Sequence, residues 1–187
     1  MSTTDRTDPY SATELIRKHL IGDGYDIIFD LEKSHGSWVV DARDGREYLD
    51  FYPFFASLPL GFNHPTFQEA LCFERIGRAA LHKPANSDAH TCELAGFSEA
   101  FSKLAMPSEF KHLFFIEGGA LAVENALKTA FDWKTRKNIA SGNDGCAGNK
   151  VLHFREAFHG RSGYTMSLTN TLPDKVGLFP KFDWPRV

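Results

Sequence analysis

HLFFIEGGALAVENALKTAFDWKTRK, residues 112–137, decides the fold. His112 to Ile116 is short, apolar and aromatic, the composition of a buried strand, whereas Ala120 to Lys137 brings Val123, Leu127, Ala130 and Phe131 near one helical face. Gly118 and Gly119 occupy the turn between them. Without side chains at that turn, an anion can approach the free amides that begin the helix, where the helix dipole favours negative charge. A tight turn that needs only glycine's backbone freedom would use the same two residues. Val151 to Phe154 reads as the returning strand, so the three segments form a βαβ pattern and predict a parallel sheet with helices on its faces.

A second cluster, Phe158-His159-Gly160-Arg161-Ser162-Gly163, follows that returning strand. An aromatic ring beside an imidazole can cover the face of a flat heterocycle, and Arg161 offers the planar fork that pairs bidentately with a carboxylate. A polar surface turn is the alternative use of these residues.

Three runs, EGGALAVENALKTAFDWK (117–134), AFHGRSGYTMSLTNT (157–171) and FPKFDWPR (179–186), resemble the class III aminotransferases, enzymes that use pyridoxal phosphate, and within that class its lysine-specific subgroup. DGREYLDFYPFFASLPLGFNHP (44–65) fits the same family, so the resemblance runs from about Ile21 to Val187. It implies the N-terminal part of a fold-type I α/β transferase: an antiparallel N-terminal element, then the start of the large parallel-sheet domain. By motif match, Gly119 and Ala120 donate backbone amides to the coenzyme phosphate while Gly118 gives clearance. Phe158 stacks on the pyridine ring and His159 flanks it. Arg161 takes the α-carboxylate of L-lysine or 2-oxoglutarate, and Phe55 lines the substrate entrance. The implied reaction moves the terminal amino group of lysine to 2-oxoglutarate, giving 2-aminoadipate 6-semialdehyde and glutamate, in a homodimer. The family's Schiff-base lysine, and the aspartate that pairs with the pyridine nitrogen, match no residue here. No catalytic residue is therefore assigned, and the chain reads as a fragment, inactive alone. An ornithine or 4-aminobutyrate activity would share the cradle, and a non-catalytic remnant is the remaining alternative.

With 187 residues, 42% hydrophobic content and a net charge of −3, the chain can bury a sizeable core and has no global pull toward nucleic acid or membrane. Cys72, Cys92 and Cys146 are widely spaced and read as free thiols, and the histidines show no metal-ligand spacing. The first twelve residues hold no apolar stretch of the signal-peptide kind, and no apolar run approaches the roughly 20 residues that span a bilayer. A cytoplasmic enzyme is expected.

Along the chain, residues 1–12 are expected to be irregular, 13–64 to form a helix with antiparallel strands, and 65–187 to begin the coenzyme-binding domain. Ser11 and Glu14 have capping-box spacing and predict a helix toward Leu20, closed by Gly22-Asp23-Gly24. Tyr25–Leu31, Ser37–Ala42 and Glu47–Tyr52 read as strands, the last two joined at Asp44-Gly45. His64 is expected to shape the turn before Pro65. Apolar spacing predicts helices over 67–81 and 94–104, with Pro107 closing the second. Glu124 on the cradle helix points either toward the loops of the site or to solvent. The glycine-containing stretch Asn138–Lys150 fits neither a dinucleotide nor a Walker loop and is expected to be a flexible surface connection.

Overall fold

In the computed structural model, which describes residues 7–21, 24–82, 85 and 87–187, the Asp44-Gly45 turn forms where the sequence puts it. Gly45 has φ 75°, open to glycine at little cost, and the Asp44 carboxylate accepts the Arg46 amide at 2.9 Å. The turn joins β1 (Trp38–Val40) to β2 (Glu47–Leu49) in antiparallel register, with Val39 opposite Tyr48. Both strands are shorter than their apolar runs. Asp50 ends β2 by accepting the Tyr52 amide at 2.7 Å. The expected strand at Tyr25–Leu31 shrinks to a single bridge between Phe29 and Asp41. The cause is Asp30, whose carboxylate accepts the amides of Glu32 and Lys33 and turns the chain.

This hairpin lies in the first of two compact units, which divide between Thr91 and Cys92. Helix α1 (Pro9–Arg17) opens earlier than the Ser11 capping box predicts, because Asp8 caps it and Pro9 supplies a preset φ at its first position. Gly22 and Asp23, expected to close that helix, lie outside the described residues. A left-handed turn, α2 (Pro53–Ala56), places Phe54 at φ 45° and Phe55 at φ 57°. Bulky residues seldom adopt that conformation, and here Phe54 is held edge-on against Phe29 and Phe62. The helix expected over 67–81 is two, α3 (Pro65–Gln68) and α4 (Ala70–His82), broken where Glu69 turns extended at ψ 131°. His64 caps α3 by accepting the Thr66 amide at Nδ1, as its place before Pro65 predicts.

Buried Val40 and Phe62 form the apolar centre of this unit, with buried Ser34 accepting the Val40 amide beside them. Asp41 is 1% exposed, and its carboxylate receives the backbone amide and guanidinium of Arg43, which also reaches Asp26. Asn63 ties the 31–34 turn to α3: its amide donates to the carbonyls of Leu31 and Ser34 while its oxygen accepts from Gln68.

The second unit is built on α6 (Gly119–Ala140), accompanied by α5 (Cys92–Leu104), α7 (Gly163–Leu168) and α8 (Pro173–Val176). The parallel pairing that the βαβ pattern predicts between residues 112–116 and 151–154 does not form among the described residues; a single parallel bridge joins the 151–154 run to the residues after α8 instead. His153 bridges Arg186, with the His153 amide donating to the Pro185 carbonyl and the Val187 amide returning to the His153 carbonyl. Residues 112–116, expected as a buried strand, form none among the described residues. A strand exists only beside a hydrogen-bonded neighbour, and no backbone ladder reaches this run. Instead, Phe115 packs on Phe97 of α5 with ring centroids 5.3 Å apart. The stretch after α6 is pinned: buried Asn138 donates to the Ala147 carbonyl, and Gly148 at φ 77° lies against the Lys134 side chain. Among the described residues, no helix is long and apolar enough to cross a membrane.

The Arg43 hydrogen bonds hold the Asp41 carboxyl down at about 2, against the burial that pushes it up. A carboxyl depressed in the folded state contributes fully above its unfolded value and loses that contribution as pH falls through the folded one. Stability should therefore drop by on the order of 1–2 kcal/mol between about pH 4 and pH 2, allowing for solvent around the half-exposed Arg43. In thermal melts Asp41→Asn should lose a similar amount at neutral pH and flatten that acid limb; an unchanged melt would count against the assignment.

Candidate functional site

Among the described residues, no side chain caps the first turn of α6. Gly118 is its N-cap at φ 83°, and the first helical bond runs from the Ala122 amide to the Gly118 carbonyl. The amides of Gly119 and Ala120 thus stand free at the positive end of a 22-residue helix. A Cβ built on Gly118 or Gly119 meets no atom within 4 Å, so both glycines face open space that side chains would enter. An oxyanion fits there.

The second cluster is seated directly on this turn. Gly160, buried at φ 109°, approaches so closely that a Cβ on it would come within 2.4 Å of the Ala120 Cβ. Fully buried Thr169 fixes the approach, its hydroxyl donating to the Gly160 carbonyl at 2.6 Å and accepting the His159 amide at 2.9 Å. Asn170 extends the clamp to the Phe154 carbonyl. Phe158 and Arg161 flank these fixed residues and remain exposed, and His159 is half-buried. No ion pair or hydrogen bond engages the Arg161 guanidinium among the described residues.

One turn beyond Ala120, on the same face of α6, the Glu124 carboxylate is buried. It accepts the Ser162 hydroxyl at 2.8 Å and the amides of Tyr164 and Thr165 at 3.0 and 3.3 Å. Ser162 and Thr165 also close a capping box at the start of α7. Burial pushes the Glu124 carboxyl up, but these donors, with Lys128 nearby, outweigh it and hold the group below the ordinary carboxylate range. Farther along α6, Phe131 meets Tyr164 and Trp184, and Trp184 stacks on Phe182 at 5.0 Å.

Of the residues nominated from sequence, Gly118, Gly119, Ala120, Phe158, His159 and Arg161 therefore belong to two segments in contact in one unit. Phe55 belongs to the other unit, where it is exposed and lies edge-on to Tyr52 at 4.8 Å. Sequence reasoning missed Thr169 and left Glu124 open between loop and solvent. The signal for Glu124 was present, since it shares the helical face of Ala120, Leu127 and Phe131. A cleft of about 500 Å³ farther along α6 involves Lys134, Gly148, Lys150 and Trp184, and none of the nominated residues lines it. No group of three or more His, Cys, Asp or Glu is placed to hold a metal ion among the described residues.

The family model described as aminotransferase class III matches residues 21–185. The chain is 52% identical to the L-lysine-epsilon aminotransferase of Mycobacterium tuberculosis over 182 residues, 97% of this chain and 40% of that protein. It is 49% identical to the protein of the same name from Amycolatopsis lactamdurans, over 96% of this chain and 40% of that one. A solved structure of the lysine aminotransferase from M. tuberculosis superposes with a TM-score of 0.92 at 52% identity, over 97% of this chain and 42% of that one. The chain thus spans about two fifths of the length of these relatives.

The Gly160–Ala120 approach leaves no room for a methyl group and uses a backbone conformation that side chains avoid. Gly160→Ala should cost roughly 2–4 kcal/mol, read from the denaturant midpoint. A midpoint equal to the parent's would show that the two segments are not in contact.

Proposed function

Because the chain belongs to the class III aminotransferases, a pyridoxal-phosphate family, we propose that it carries the coenzyme-phosphate cradle and carboxylate-gripping loop of an L-lysine 6-aminotransferase. The proposed reaction transfers the terminal amino group of lysine to 2-oxoglutarate, giving 2-aminoadipate 6-semialdehyde and glutamate. The observation that carries this reading is the seating of Gly160 on Ala120, which brings the free helix amides and Arg161 into one construction. The names of the similar proteins favour lysine over other amines. Residues 65–187 as the start of the coenzyme domain, a cytoplasmic homodimer and the place of Phe55 at the substrate entrance belong to the same proposal.

When bound, pyridoxal 5′-phosphate supplies the electron sink for amino transfer. The amides of Gly119 and Ala120 bind its phosphate at the helix N-terminus, and Gly118 keeps the approach clear. Phe158 covers the face of the ring and His159 borders it. Arg161 grips the α-carboxylate of lysine in a bidentate pair, which fixes one end of the substrate and points its far amine toward the ring. The same fork takes a carboxylate of 2-oxoglutarate. Lysine specificity on this account is a matter of distance between Arg161 and the coenzyme, and shorter amines gripped at the same carboxylate fall short.

Glutamate formation from 2-oxoglutarate should be faster with lysine than with ornithine or 4-aminobutyrate in the protein that contains this chain. A preference for either shorter amine would overturn the lysine assignment. Arg161→Lys should weaken the use of lysine and 2-oxoglutarate together by roughly 1.5–3 kcal/mol in kcat/KM, because a point charge cannot form two parallel hydrogen bonds. Gly119→Val should release pyridoxal phosphate while the protein stays folded; undiminished affinity in a folded variant would return the glycines to a purely structural turn.

A further inference from the structure

Arg161 lies between two residues that are both fixed to α6. Gly160, on its N-terminal side, is packed against Ala120, and Ser162, on its C-terminal side, donates to Glu124. Ala120 and Glu124 are separated by one helical turn on the same face. The exposed guanidinium is therefore carried on a short loop whose two ends are attached to the first two turns of the helix that begins at the cradle. The Glu124 attachment has three strands: one hydroxyl and two backbone amides converge on its buried carboxylate. Gly163 permits this convergence, since a Cβ there would stand 3.2 Å from Glu124 Oε1.

Resting on the function proposed above, we infer that Glu124 is a positioning residue that couples the coenzyme cradle to the carboxylate-gripping loop, so that filling the cradle orders the Arg161 loop. Glu124 touches neither coenzyme nor substrate in this scheme. An anion on the Gly119 and Ala120 amides ties down the first turn of α6, and Glu124 passes that restraint across to Ser162, Tyr164 and Thr165. The reverse also holds, because coupling between two binding events is reciprocal: a carboxylate on Arg161 tightens the hold on the phosphate.

Amide hydrogen exchange on the full chain, with and without pyridoxal 5′-phosphate, tests the coupling. In the parent, the coenzyme should slow exchange at residues 118–121 and also, by about tenfold, at residues 162–169. In Glu124→Ala, protection should remain at 118–121 and fall below about twofold at 162–169. Glu124→Gln, which keeps an acceptor oxygen without the charge, should lie between the two. Equal spread of protection in folded Glu124→Ala, or none beyond the cradle in the parent, would overturn the inference. Absence of protection at 118–121 in the parent would instead overturn the coenzyme assignment on which it rests. If Glu124→Ala does not fold, Ser162→Ala removes one of the three donors from the loop side. A smaller spread in that variant supports the coupling, and an unchanged spread contradicts it.

Discussion

The buried carboxylate of Glu124 is the interaction on which the second unit depends. A carboxylate placed out of water on the apolar face of a helix is costly unless donors surround it. Here a hydroxyl and two amides do so, and all three come from the segment that starts α7. That requirement fixes α7 against α6 more specifically than apolar packing could, since only one placement of the loop satisfies the charge. The aromatic contacts of Phe131 with Tyr164 and Trp184 then follow about two turns along the same face. Gly160 against Ala120 completes the fit at the other end.

The first unit uses the same device in its own way. Asp41 is buried at the end of β1, inside the hairpin turn, and receives the fork of Arg43, which reaches over to Asp26. The carboxylate organises a turn that has little apolar material to hold it, because few side chains besides Val40 and Phe62 are buried there. In both units, then, a charged group inside the fold specifies a loop geometry that hydrophobic burial alone would leave loose.

Much of this was legible in the chain. Asp44-Gly45 announced its hairpin because a left-handed turn residue between apolar runs has few other uses. Gly118-Gly119 marked the helix start, and Gly118 does adopt the positive φ that excludes side chains. What failed to show were interactions set by residues distant in sequence. Glu124 and Ser162 are 38 residues apart, and Thr169 closes on Gly160 from nine residues away; neither contact leaves a local pattern. Strand extent was overread at Tyr25–Leu31 because apolar content speaks for burial, whereas the side chain of Asp30 competes locally for the backbone amides. The start of α1 was misplaced for a related reason: two capping signals overlap, and proline at the first position prevails.

We propose that the N-terminus of α6 holds the coenzyme phosphate as a dianion. Phosphorus NMR of pyridoxal 5′-phosphate mixed with the protein addresses it directly, since a free phosphate monoester changes protonation near pH 6. Held on the Gly119 and Ala120 amides, the resonance should broaden and keep the dianion position from pH 8 down to about pH 5, because helix amides favour the more negative form. A sharp signal that titrates near pH 6 as it does in buffer would rule out a phosphate held at this helix end.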